Sequence, residues 1–126
     1  MKDTNAVIPM LAIRGAHKAI IFYKRAFQAE ELTIMQSEDG TIQHAELAVN
    51  EAKIMIADEF PEHNQSPATL QGTSVILYVE VGDVDVFYQR SLEYGAETLR
   101  APEAGFGEKK ICKIKDPFGH VWMFSS

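Results

Sequence analysis

The chain has 126 residues, enough for one compact core but too few for two independent ones. Apolar residues make up 46% and charged residues 24%, the balance of an ordinary globular protein, while a net charge of −6 argues against binding a phosphate backbone. Cys112 is the only cysteine, which excludes an internal disulfide framework and a thiolate zinc site within one chain. There is no apolar run of membrane-spanning length, and Met1-Lys2-Asp3-Thr4-Asn5 lacks the apolar stretch of a signal peptide, so the expectation is a soluble cytoplasmic protein without membrane or nucleic-acid partners.

In chain order, residues 7–13 form an apolar strand-like run. Residues 16–27 follow with Ala16, Ala19, Ile20, Tyr23 and Phe27 at helical spacing. Three strand candidates come next, at 32–37, 41–49 and 52–57, separated by Asp39-Gly40 and Asn50-Glu51. A polar linker, broken by Pro61, Pro67 and Gly72, leads to a second apolar run at 74–81. A second helix is expected over 84–92, with Asp83 as its N-cap and Gly95 at its C-terminal end. Strand candidates at 97–101, 109–115 and 120–124 complete the chain, the last two joined by Asp116-Pro117-Phe118-Gly119.

The order β-α-β-β-β therefore occurs twice. Phe22-Tyr23-Lys24-Arg25 is echoed by Phe87-Tyr88-Gln89-Arg90 at an offset of 65, and Ala29-Glu30-Glu31-Leu32 by Ala96-Glu97-Thr98-Leu99 at 67. The expected architecture is α+β: two tandem βαβββ modules, at about 5–60 and 73–126, joined by a linker at about 61–72. Their curled mixed sheets would surround a central cavity, with the helices on the outer faces. Alternation in the third strand puts Ala45, Leu47 and Val49 on one face and His44, Glu46 and Ala48 on the other. The aliphatic face should pack on the helix, leaving His44, Glu46 and Met55 on a semi-polar face suited to a small ligand.

Ala19-Ile20-Ile21-Phe22-Tyr23-Lys24-Arg25-Ala26-Phe27, His44-Ala45-Glu46-Leu47, Ala57-Asp58-Glu59 and Asp116-Pro117-Phe118-Gly119-His120-Val121-Trp122 occur in an order that resembles the PhnB-like branch of the glyoxalase/bleomycin-resistance/dioxygenase (vicinal oxygen chelate) superfamily. The resemblance covers essentially the whole chain. It implies a homodimer with a pocket in each U-shaped sheet, where enzymatic relatives hold a divalent metal through the first and last strands of both modules. Those positions fall near Ile8, Met55, Ile76 and Met123, none an ordinary metal ligand, so a divalent metal is disfavoured and no cofactor is expected.

Two functions remain open. One is a metal-independent protein that sequesters an antibiotic-like or metabolite ligand, with Met55, Glu59, Tyr78, Phe106, Lys109, Trp122 and Met123 as candidate contacts. The other is a lyase or isomerase using His44 and Glu46 as an acid–base pair, with or without a relocated metal. Bland readings stand beside both: His44 and Glu46 as a packing hydrogen bond, the 105–110 segment as an ordinary hairpin loop, the aromatic and Met residues as plain core. His120 is read as structural and Cys112 as an inert buried thiol.

Overall fold

The computed structural model describes residues 6–126. The first module comprises β1 (Met10–Ile13), α1 (Ala16–Ala26), β2 (Glu30–Gln36), β3 (Ile42–Val49) and β4 (Ala52–Asp58). A connecting segment containing one helical turn, α2 (Pro67–Leu70), leads to β5 (Ile76–Glu80), α3 (Val84–Glu93), β6 (Glu97–Ala104), β7 (Lys110–Lys115) and β8 (Val121–Ser125). The two sheets have matching strand orders, β1-β4-β3-β2 and β5-β8-β7-β6. In each, the first and last strands pair in parallel and the other pairs are antiparallel. The α+β duplication is as expected; the sheets are curled and do not close.

The strands follow the pleat. Along β3, Ala45, Leu47 and Val49 are buried and His44, Glu46 and Ala48 are partly covered, so this face assignment stands. The helix-packed faces of both sheets share one apolar core, which takes in Leu11, Leu47 and Ile56 from the first module and Ile114, Trp122 and Phe124 from the second. α1 and α3 touch, and Phe27 packs edge-on against Trp122 and Phe124 at ring-centroid distances of 4.9 and 5.0 Å. The opposite faces point away from this core. They carry exposed Met10, Met35, Ile76 and Tyr78.

The helix ends show how each module closes on itself. Asp83 accepts hydrogen bonds from Asp85 N and Val86 N at the start of α3, and Gly95 follows α3 with φ of 105°, both as the sequence predicts. In addition, a residue at the end of the last strand of the first module, and one just past it in the second, binds the first helical N–H. Asp58 Oδ1 accepts from Ala16 N at 2.8 Å, and Ser126 Oγ from Val84 N at 3.2 Å. The connecting segment is less irregular than its prolines suggest. Ser66 caps α2 through Thr69 N, and Pro67 occupies a first-turn position where its missing N–H costs nothing.

Candidate functional site

Strand register defines a matching row of side chains on the outward face of each sheet. In the first module Met10 lies opposite Met55, Met55 opposite Glu46, and Glu46 opposite Thr33. In the second, Tyr78 lies opposite Met123, Met123 opposite Lys113, and Lys113 opposite Arg100. The first- and last-strand residues at this level are thus Met10 with Met55 and Tyr78 with Met123. Ile76, named from sequence, lies two residues before Tyr78 on the same face of β5, and Ile8, also named, lies in the segment that leads into β1.

This level of the two outward faces therefore presents three thioethers and a phenol. The phenol of Tyr78 lies 2.7 Å from Ser125 Oγ. This donor set does not suit a hard or borderline divalent cation. Among the described residues, no group of three or more His, Cys, Asp or Glu side chains could hold a metal ion.

His44 and Glu46 come together as their spacing suggests, with His44 Nε2 2.8 Å from Glu46 Oε2. Lys53 of β4, which the sequence reading passed over, holds the other oxygen of Glu46 at 3.2 Å. The hydrogen bonds from His44 and then Lys53 pull the Glu46 carboxyl below its ordinary range, so it is a settled anion near neutral pH. The arrangement resembles a general base pair in geometry, but both carboxylate oxygens are already engaged.

On the second module, Phe106 reaches back over the outward face, its ring 6.2 Å from that of Tyr78. Lys109 from the same loop pairs with Glu80 at 3.3 Å. Met55, Tyr78, Phe106, Lys109 and Met123 therefore border the outward faces. A cleft of about 620 Å³ opens where the segment before β1 and the start of β4 meet β5; Ile8, Lys53, Ile76 and Tyr78 line it.

Two of the residues named from sequence have other work. Trp122 is buried on the core side of β8, with its indole N–H donating to Asp116 at 2.9 Å, and it reaches the cleft only as part of its floor. Glu59 spends its carboxylate on the connecting segment, accepting from Ser66 N at 2.7 Å and the Thr69 hydroxyl at 2.8 Å, with Arg14 beside it. His120 contacts the carbonyl of Ala12 and is structural in position. Reasoning from sequence missed Met10, Lys53, Lys113 and Ser125. Their shared alternation with Met55 or Met123 was visible, but only the pairing of strands gives them a common level.

Residues 7–124 match the profile of the Glyoxalase/Bleomycin resistance protein/Dioxygenase superfamily, and the chain belongs to that superfamily. An uncharacterized protein of Mycobacterium bovis is 36% identical over 121 residues, covering 93% of this chain and 80% of the relative. Among solved structures, TioX from Micromonospora sp. ML1 is similar with a TM-score of 0.76 and 26% identity, over 96% of this chain and 94% of that one. The PhnB protein from Bacillus cereus, described as a putative 3-demethylubiquinone-9 3-methyltransferase, gives 0.74 at 22% identity, over 96% and 98% of the two chains. The fosfomycin resistance protein FosX from Mesorhizobium loti gives 0.68 at 11% identity, over 99% and 93%, a likeness of fold alone.

Proposed function

We propose that the chain is a metal-independent small-molecule binding protein, acting as a homodimer, that sequesters an antibiotic-like compound or metabolite against the outward faces of its sheets. The observation that carries this reading is the chemistry of the Met10, Met55, Tyr78 and Met123 positions. Polarisable thioethers and an aromatic ring, none of them a hard donor, stand at the level where the first and last strands of each module pair. Phe106, held near Tyr78 by a glycine-flanked loop, supplies a second aromatic surface for a flat ligand. The exposure of Met10 (70%), Met35 (54%) and Ile76 (47%) on the outward faces of the two sheets supports a second copy covering them, because exposed large apolar side chains favour a partner. No described helix is long and apolar enough to cross a membrane, in keeping with a cytoplasmic role.

The test combines three measurements on protein purified without chelator. Light scattering should give about twice the 14.1 kDa mass of the chain. Metal analysis should find no stoichiometric metal. A thermal-shift screen of planar antibiotics and metabolites should find compounds whose stabilisation disappears in Tyr78→Ala and Phe106→Ala. Stoichiometric metal would overturn the reading, as would stabilisation indifferent to both substitutions.

A second reading, a lyase or isomerase, is favoured by one observation, the 2.8 Å contact between His44 and Glu46 on the same face. It requires that His44→Ala abolish turnover of an identified substrate while the circular dichroism spectrum is unchanged.

A further inference from the structure

The two matching rows differ in the sign of their charge. The register that places Glu46 beside Met55 in the first module places Lys113 beside Met123 in the second. Glu46 is satisfied where it stands, by His44 on one oxygen and Lys53 on the other. Lys113 is not.

β6 and β7 carry four basic side chains, Arg100, Lys110, Lys113 and Lys115. Arg100 pairs with Glu103, Lys110 with Asp85 and Lys115 with Glu97. Among the described residues, Lys113 has no carboxylate within ion-pair distance, and it is nevertheless partly buried. A partly desolvated ammonium without a counter-charge favours an anion that reaches it.

Its surroundings limit what that anion can be. Met123 lies beside Lys113, and Tyr78 lies one strand further, about 10 Å away by strand spacing. Phe106 stands against Tyr78. An apolar shelf bordered by two aromatic rings thus ends at a cation without a carboxylate partner, beyond which Arg100 is already paired with Glu103. We propose that Lys113 anchors the carboxylate of a flat aromatic acid whose ring lies over Met123 and abuts the Tyr78–Phe106 pair. This rests on the binding function proposed above and adds the ligand's class and orientation. The recognition needs only one negative group on a planar apolar body, so the shared feature is an aryl carboxylate, free or as part of a larger compound.

Isothermal titration with 2-naphthoate and its neutral isostere 2-naphthamide, on the intact protein, tests the anchor separately from the shelf. Naphthoate should bind on the order of tenfold more tightly than the amide, the size of one charge-assisted contact. Lys113→Gln should remove that difference and leave amide binding unchanged; Lys113→Arg should restore most of it. Phe106→Ala should weaken both ligands alike. Circular dichroism confirms that each variant is folded. Equal binding of acid and amide, unchanged in Lys113→Gln, overturns the anchor and leaves the binding function standing. A naphthoate preference that persists in Lys113→Gln overturns it too. Failure of both compounds to bind, at concentrations where a shelf of this size should hold an aromatic ring, overturns the anchor and removes the support that Tyr78 and Phe106 lend to the binding function.

Discussion

Tyr23 of α1 donates its phenol hydrogen to Asp116 across 93 residues of chain, at 2.5 Å in the buried interior. Trp122 Nε1 donates to the same oxygen at 2.9 Å, and the backbone N–H groups of Phe118 and His120 bind the other oxygen at 2.9 and 3.0 Å. One carboxylate, only 3% exposed, thus joins the first module's helix to the turn and last strand of the second. A buried anion is tolerated here because four donors replace its water.

Replacing Tyr23 with Phe removes one of the four donors and leaves the ring in place. The expected loss is about 1.5–3 kcal/mol, the range for a hydrogen bond to a charged group, measured by urea unfolding. Burial, and then the Asp116 carboxylate, pushes the Tyr23 phenol well above its ordinary value of 10.0. A group whose pKa is raised by folding stabilises fully below its unfolded value and loses that contribution as pH rises. The wild type should therefore lose stability above about pH 10, and Tyr23→Phe should flatten that alkaline slope.

At the other end of the pH scale, Glu59 should govern part of the acid response. The Ser66 N–H, followed by the Thr69 hydroxyl, lowers its carboxyl from 4.5 to about 2. A depressed carboxyl contributes stability above its unfolded value and loses it as pH falls toward the folded value, so the window runs from 4.5 down to about 2. Glu59→Gln should be less stable than wild type near neutrality and lose less on acidification through that window. Acid titration followed by tryptophan fluorescence reads both effects. Identical acid limbs for the two proteins would contradict the assignment.

Cys112 should resist thiol reagents in the folded protein. It is fully buried in β7, and burial raises its thiol to about 11, leaving little thiolate at pH 8. Ellman's reagent should react with it only after denaturant is added, in a phase that follows unfolding.

Gly119 should not accept a side chain. Its φ is 95°, and a β-carbon there would come within 2.7 Å of Pro67 Cβ. Gly119→Ala combines backbone strain with a clash against α2 and should cost about 1–3 kcal/mol, read as a lower denaturant midpoint.

Much of the architecture could be read from local pattern. The strict alternation of β3 fixed which residues face the helix, and turn residues marked the hairpins. The repeat was legible too, with a finer structure than its echoes showed. The match of Glu30 with Glu97 at an offset of 67 agrees with strand register, since their partners Ala48 and Lys115 are also 67 apart. The Phe-Tyr match at 65 does not. Helix starts at Ala16 and Val84, and strand partners Met55 and Met123, are 68 apart, so the aromatic echo sits about one turn out of alignment. Three residues along a helix return to nearly the same face, and an aromatic pair can be useful in either turn.

The site was less legible because it depends on levels across strands. His44 and Glu46 share one strand, so their meeting followed from spacing. Lys53, Met10 and Lys113 acquire their roles only when β1, β3, β4 and β7 are set side by side. Glu59 and Trp122 looked available in sequence because nothing local reveals that Ser66, Thr69 and Asp116 already occupy them.

The bond between Tyr23 and Asp116 also bears on how the chain is made. While the first module emerges from a ribosome, 93 residues separate its phenol from the acceptor it will use, and Phe27 has no Trp122 to rest on. Translation at about 5–20 residues per second leaves that aromatic flank of α1 uncovered for some seconds. A nascent chain paused between the modules should therefore be a chaperone client, although each half has a complete set of strands. Duplication supplied two similar halves, but the buried carboxylate has made the first wait for the second.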